Sequence, residues 1–132
     1  MRVVAGSHAI AWHVQGSKRL SERAGEVLAE AEAERSLVVS VATLIDLWYV
    51  SQTTRSVTAE QLGALRERLG SSGAVSLEPV TVAVADAATT IPRASVADPW
   101  DRLIMATAIA LQVPLVTRDS AVRASGLVQT IW

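Results

Sequence analysis

The chain of 132 residues is half hydrophobic and carries 12 basic against 13 acidic residues, a formal net charge of −1. That balance supports a sizeable core and excludes both wholesale disorder and a strongly basic nucleic-acid coat protein. The absence of cysteine excludes disulfide scaffolds, thiol nucleophiles, zinc fingers and iron–sulfur clusters, and it fits a reducing cytoplasm.

Val3, Val4 and Ala5 form a short apolar run that ends at Gly6 and predict a first strand. Residues 8–15 predict a short helix, so the apolar N-terminus, interrupted by Arg2, His8 and His13, reads as buried strand and helix and not as a signal peptide. No apolar run is long enough to span a membrane. Ser21 is placed to cap a helix over 22–34, with Ala24, Val27, Leu28 and Ala31 on its inner face. Glu22, Glu26, Glu30 and Glu34 share the opposite face, which reads as solvated. Leu37, Val38 and Val39 predict a second strand closing at Ser40, followed by a helix over 42–53. Thr58 with Gln61 forms a capping-box pattern for a helix that stops at Gly70. Residues 75–80 predict a strand interrupted by Pro79, 81–90 a helix and 91–97 a loop. Asp98-Pro99 opens the clearest helix, with Asp98 as N-cap and Pro99 in the first helical position, running to about Gln112. Leu115 and Val116 predict a strand ending at Thr117, a helical turn follows Asp119, and 128–132 form a last strand. Short strands alternating with helices predict one domain over 1–132, built on a parallel sheet with helices on both faces. Ligands in such sheets bind beyond the carboxyl ends of the strands, where Gly6, Ser40 and 117–119 fall.

Three acidic residues stand apart from the solvated faces. Asp46 interrupts an apolar run from Leu44 to Val50, and burying its carboxylate unpaired costs several kcal/mol. It requires a cation, an arginine or a proton, unless the helix exposes a stripe there. Asp101 heads the apolar stretch 103–111; with Asp98 it has the spacing of a helix cap and its third-position partner. Asp119 follows a strand directly, where either a ligand-binding role or a turn cap fits. Three carboxylates at element ends on one side of a parallel sheet suggest a hard-cation site, because Mg²⁺ and Mn²⁺ prefer carboxylate oxygens and water. Phosphodiester cleavage is the chemistry such a site serves.

Four segments carry a family resemblance: SHAIAW at 7–12, RLSERA at 19–24, DPWDRLIMATAIA at 98–110, and PLVTRD at 114–119 followed by Trp132. Together they resemble the PIN-domain family, in particular its VapC-type toxin ribonucleases. The resemblance implies a three-layer α/β/α sandwich with a short central parallel sheet. It also implies Mg²⁺-dependent endoribonuclease activity (Mn²⁺ possible) that inhibits translation, a cytoplasmic homodimer, and a cognate antitoxin whose C-terminal tail blocks the site. Carried over by position, Asp46 matches the family's second acid, Asp101 the third and Asp119 the fourth, while Asp98 matches a companion that caps the helix. The first acid belongs at position 6, which here is Gly6. Glycine supplies no oxygen, so a metal ligand is lost, and catalysis, which depends on fixed geometry, suffers more than binding. Natural loss and an introduced inactivating substitution both account for it.

Among the supporting residues, Ser7 is placed either to hold a metal-bound water or to cap the next helix, Thr117 to orient Asp119, and His8 for packing and a local hydrogen bond. Arg93, Arg102 and Arg118 flank the site in sequence and are candidates for RNA phosphates, or for pairing with a nearby aspartate or with an antitoxin's acidic group. Trp12, Trp48 and Trp100 read as core or dimer-interface residues, and 42–70 as a helical clip for an antitoxin or substrate. The expected function is therefore a toxin ribonuclease impaired at Gly6. The alternative is a non-catalytic PIN-fold module that dimerises and binds an antitoxin, with a small-phosphoester phosphatase a distant third.

Overall fold

The computed structural model describes residues 1–132. Five strands, β1 (Val3–Ala5), β2 (Leu37–Ser40), β3 (Val75–Glu78), β4 (Leu115–Val116) and β5 (Thr130–Ile131), form one sheet in the order β3-β2-β1-β4-β5. Every pairing is parallel, with Val4 opposite Val38 on one side and Leu115 on the other. Seven helices connect and cover them: α1 (Ser7–Gln15), α2 (Glu22–Ala33), α3 (Val41–Thr53), α4 (Ala59–Ser71), α5 (Val82–Thr90), α6 (Pro99–Leu111) and α7 (Ser120–Ser125).

The side-chain period of two divides the strands between two cores. Val3, Ala5, Leu37, Val39 and Val116 face one core with Ile10 of α1, Leu28 of α2, Leu47 of α3 and Leu65 of α4. Val4, Val38 and Leu115 face the other, with Val84 of α5, Ile104 and Met105 of α6, and Val122 of α7. Burial on both faces explains why β1 and β2 read as continuous apolar runs. The sheet is thus the middle layer of an α/β/α arrangement, as expected.

The predicted caps form. Ser21 Oγ accepts from the Ala24 amide at 3.1 Å, Thr58 and Gln61 complete a capping box, and Asp98 Oδ1 accepts from the amides of Trp100 (2.9 Å) and Asp101 (3.0 Å). Glu22, Glu26, Glu30 and Glu34 are exposed. Glu32, on another side of α2, accepts from Arg68 Nη2 at 2.9 Å and lies 2.7 Å from His13 Nε2, tying α1, α2 and α4 together. Several boundaries differ: the α4 helix passes through Gly70 to Ser71, β3 stops before Pro79, and β5 is confined to Thr130–Ile131, with 128, 129 and 132 outside it. No helix is long and apolar enough to cross a membrane.

From β1 the chain steps outward to β2 and β3, then returns to the other side of β1 for β4 and β5. The strand order reverses between β1 and β4, and a crevice opens beyond their carboxyl ends at such a reversal.

Candidate functional site

A cleft of about 210 Å³ occupies that crevice. Gly6, Ser7 and His8 line it from the end of β1 and the start of α1; Asp46 comes from α3, Asp101 and Ile104 from α6, and Thr117, Arg118 and Asp119 from the turn after β4. The three carboxylates that looked out of place, separated by up to 73 positions (46 to 119), face one space.

Each is held differently. Asp46 has neither an arginine partner nor an exposed stripe to itself: it is half-buried and its Oδ2 accepts from Ser7 Oγ at 2.6 Å. Burial raises its carboxyl above the ordinary value; the Ser7 bond opposes this, the charge of Asp98 adds to it, and His8 opposes it. Ser7 is therefore bonded to Asp46 and does not cap α1. Asp101 sits in the first turn of α6, half-buried, and its carboxyl is pushed up to about 7 by burial and by the charges of Asp98, Asp119 and Asp46. Asp119 lines the cleft while its Oδ1 accepts from the Val122 amide at 2.9 Å, so it serves as cleft carboxylate and cap of α7 at once. Its own amide donates to Thr117 Oγ1 at 3.1 Å, which makes Thr117 the residue that sets the turn. Asp98 does not line the cleft; both its hydrogen bonds go to the α6 N-terminus.

Gly6 closes the back of the cleft. Its φ of −70° and ψ of 168° are extended and open to any residue, so no backbone demand explains the glycine. Its amide donates to Val116 O at 2.8 Å, and a Cβ there would meet that same oxygen at 3.1 Å, with Thr117 Cβ and Oγ1 at 3.6 Å. A larger residue requires a shift of a few tenths of an ångström.

The arginines separate into three fates. Arg118 lines the cleft, with its guanidinium carbon 4.5 Å from the Trp12 ring centroid. Arg93 is exposed on the 91–97 loop and does not line the cleft. Arg102 corrects the sequence reading: its Nη1 donates to Pro92 O (3.3 Å) and Val96 O (2.8 Å), and its Nη2 to Ala88 O (2.9 Å) and Ile91 O (2.6 Å). With all four terminal N–H donors engaged by carbonyls it keeps only Nε–H, has no fork left for a phosphate, and pairs with no aspartate. His8 packs on Trp12 with ring centroids 5.2 Å apart, without the expected hydrogen bond; burial, then the nearby Arg118, push its imidazole below the ordinary value. Trp12 is core, 1% exposed, and Trp100 is half-buried and packs against the second core, whereas Trp48 is 50% exposed and only the interface half of its reading stays open. Tyr49, which drew no attention in the sequence, stacks on Trp100 at 5.8 Å.

The donors fit a hard divalent cation in kind. They are carboxylate oxygens, no lysine or arginine pairs with any of them, and burial together with the neighbouring negative charge raises the Asp101 carboxyl. They do not make a closed coordination set, since no three acidic or histidine side chains come together as a metal-holding group, and position 6 adds no oxygen. The arrangement suits an ion that keeps much of its own water.

A profile of the PIN domain matches residues 6–125. No curated protein matches the sequence. Among solved structures, VapBC2 from Rickettsia felis bound to a DNA fragment from their promoter aligns with a TM-score of 0.69 at 16% identity, covering 98% of this chain and 97% of that one. DNA-bound VapBC from Salmonella typhimurium gives 0.68 at 17% identity over 98% and 96%, and FitAcB from Neisseria gonorrhoeae 0.66 at 19% over 97% and 95%. At these identities the structural likenesses establish the fold. A five-stranded parallel sheet with its acidic cleft at the point where the strand order reverses, and a family match running through all of those cleft residues, place this chain in the PIN domain family.

Proposed function

We propose that the chain is the toxin component of a toxin–antitoxin pair, acting in the cytoplasm. Its cleft is built for Mg²⁺-dependent endonucleolytic cleavage of RNA, Mn²⁺ being an alternative ion, and in this sequence it is impaired at Gly6. The observation that carries the reading is that Asp46, Asp101 and Asp119 all line one cleft with no cationic partner, in an open set that leaves room for an ion with its own water. PIN domains are generally nucleases, and the toxin–antitoxin assemblies VapBC and FitAcB share the fold, which supports an antitoxin partner here as well.

Asp101, Asp119 and Asp46 are the residues that would hold the ion. When bound, the ion supplies positive charge at phosphate oxygens and an acidified water as nucleophile. The chain supplies the rest. The Ser7 hydroxyl fixes the Asp46 carboxylate, Thr117 and the α7 N-terminus fix Asp119, and the Asp98 cap fixes the turn that bears Asp101. Asp101 holds a proton up to a pH of about 7, so occupation of the cleft by a cation is coupled to proton release. Homodimerisation is supported by Ile45, Trp48 and Tyr49, which are 45%, 50% and 47% exposed at i, i+3 and i+4 on α3.

A non-catalytic module that binds an antitoxin is the second reading, and the missing oxygen at position 6 together with the open acid set favours it. Titration calorimetry with Mg²⁺ and an RNA cleavage assay, run on this chain and on Gly6→Asp, separate the two. The extended backbone at position 6 accepts aspartate, and circular dichroism verifies the fold. The expected result is divalent-dependent internal cleavage by Gly6→Asp and little or none by the unaltered chain. A folded Gly6→Asp protein that leaves RNA intact in Mg²⁺ and Mn²⁺ would assign the chain to the second reading.

A further inference from the structure

Among the residues that line the cleft, Arg118 is the only lysine or arginine. It follows Thr117 and precedes Asp119, yet no carboxylate lies within ion-pair distance of its guanidinium. An unpaired arginine beside a cluster of acids ordinarily swings onto one of them, because the charge-assisted pair is short and strong. Here the guanidinium stands over the indole of Trp12, 4.5 Å from the ring centroid. Trp12 is itself fixed, buried in the core, with His8 against it at 5.2 Å and Trp132 at 6.1 Å. Tryptophan is the best of the aromatic platforms for a cation, and stacking on its face leaves the N–H donors at the guanidinium edge free.

Resting on the RNA reading above, we propose that Trp12 is a positioning residue that parks Arg118 unpaired at the cleft rim, where its free donors seat a phosphodiester of the RNA backbone opposite the acidic wall. The cleft is then polar in the sense of a magnet. The α6 and α3 side carries Asp101 and Asp46, while the turn after β4 carries Arg118, held over Trp12 of α1, with Asp119 next to it in the chain and a neutral-leaning His8 against Trp12. A strand entering such a cleft has its orientation set by which phosphate meets the arginine. Trp12 acts by holding the charge in place without neutralising it, which an aspartate or glutamate partner could not do.

The test is binding of a fluorescein-labelled single-stranded RNA oligonucleotide, followed by anisotropy in EDTA across a series of salt concentrations. The proteins are the full chain, Arg118→Gln, Trp12→Phe and the double variant. Arg118 is exposed, so Arg118→Gln leaves the fold intact. It is expected to weaken binding about tenfold and to lower the slope of log affinity against log salt by about 0.7, one single-strand phosphate contact. Trp12→Phe keeps a ring but a poorer platform. It is expected to weaken binding about threefold with the salt slope unchanged, because the charge remains and only its placement loosens. In the Arg118→Gln background Trp12→Phe is expected to do nothing further. A Trp12→Phe effect that persists in that background reduces Trp12 to a packing residue and overturns the proposal. RNA binding indifferent to Arg118→Gln overturns the phosphate seat alone and leaves the RNA reading standing. A full chain with no salt-dependent RNA binding overturns the RNA reading and the seat together.

Discussion

Asp101 is the residue on which the cleft's electrostatics converge. Its carboxyl is half-buried and surrounded by Asp98, Asp119 and Asp46, and it titrates near 7 instead of near 3.8. The sign of the consequence follows from linkage. The folded state holds this proton more tightly than the unfolded chain, so the stability of the fold falls as pH rises from about 4 to about 7 and levels off above that. Asp101→Asn removes the penalty. It should raise the melting temperature by a few degrees at about pH 8, on the order of 1 kcal/mol after solvent screening, and by almost nothing at about pH 4. Equal gains at both pH values would show that the charge is relieved by some other route. The three cleft carboxylates were legible in the sequence because a carboxylate among apolar neighbours is conspicuous. Their partners were less so. The Ser7–Asp46 bond joins positions 39 apart, and nothing local announces it. Arg102 misled for the opposite reason, since it adjoins Asp101 in the chain and so suggested a carboxylate or a phosphate, whereas its real acceptors are main-chain carbonyls that no residue pattern reveals.

At the scale of elements, Arg102 is what closes α5 against α6. The last carbonyls of a helix have no partners within it, and α5 ends at Thr90 without a glycine or a backbone cap. The guanidinium takes over that task for Ala88 and Ile91 and clamps Pro92 and Val96 with the same fork. The loop it staples leads directly into Asp98 and the first turn of α6, so the acidic wall inherits its position from this tie. Arg102→Met should cost about 2–3 kcal/mol, since the carbonyls are left without donors. Hydrogen exchange should rise first across 91–101 while the amides of β1 and β2 stay protected. Uniform loss of protection through the sheet would make Arg102 a general core residue. The order of elements was legible because each helix start carries its own chemical mark: Ser21, Thr58 with Gln61, Asp98 before Pro99, and Asp119. The ends were harder. Gly70 is tolerated within α4, and the short β5 depends on pairing with β4, a contact that sequence alone does not contain.

At the scale of the whole molecule, Ile45, Trp48 and Tyr49 place three of the seven exposed large hydrophobic side chains on one helix, and Trp100 extends this stripe through its stack with Tyr49. Large aromatic side chains of this kind supply most of the energy where two proteins meet. If the chain dimerises through this face, Trp48→Glu should convert dimer to monomer in sedimentation equilibrium with the circular dichroism spectrum unchanged. A dimer that survives the substitution would locate the contact elsewhere. The sequence left core and interface both open for Trp48, because tryptophans in an apolar helix fit either. Only the assembled layers show that α3 turns Leu47 inward and Trp48 outward.

The seat of Gly6 lies just beyond the central strand, locked to its neighbour through Val116 O and already in a conformation that any residue adopts. Exchange of the side chain at that seat therefore needs no change of backbone conformation, only a shift of a few tenths of an ångström against Val116 O. On the reading proposed above, a cell should tolerate the chain in quantity, as a bait for antitoxins or for transcripts, and Gly6→Asp alone should separate that reagent from the armed form.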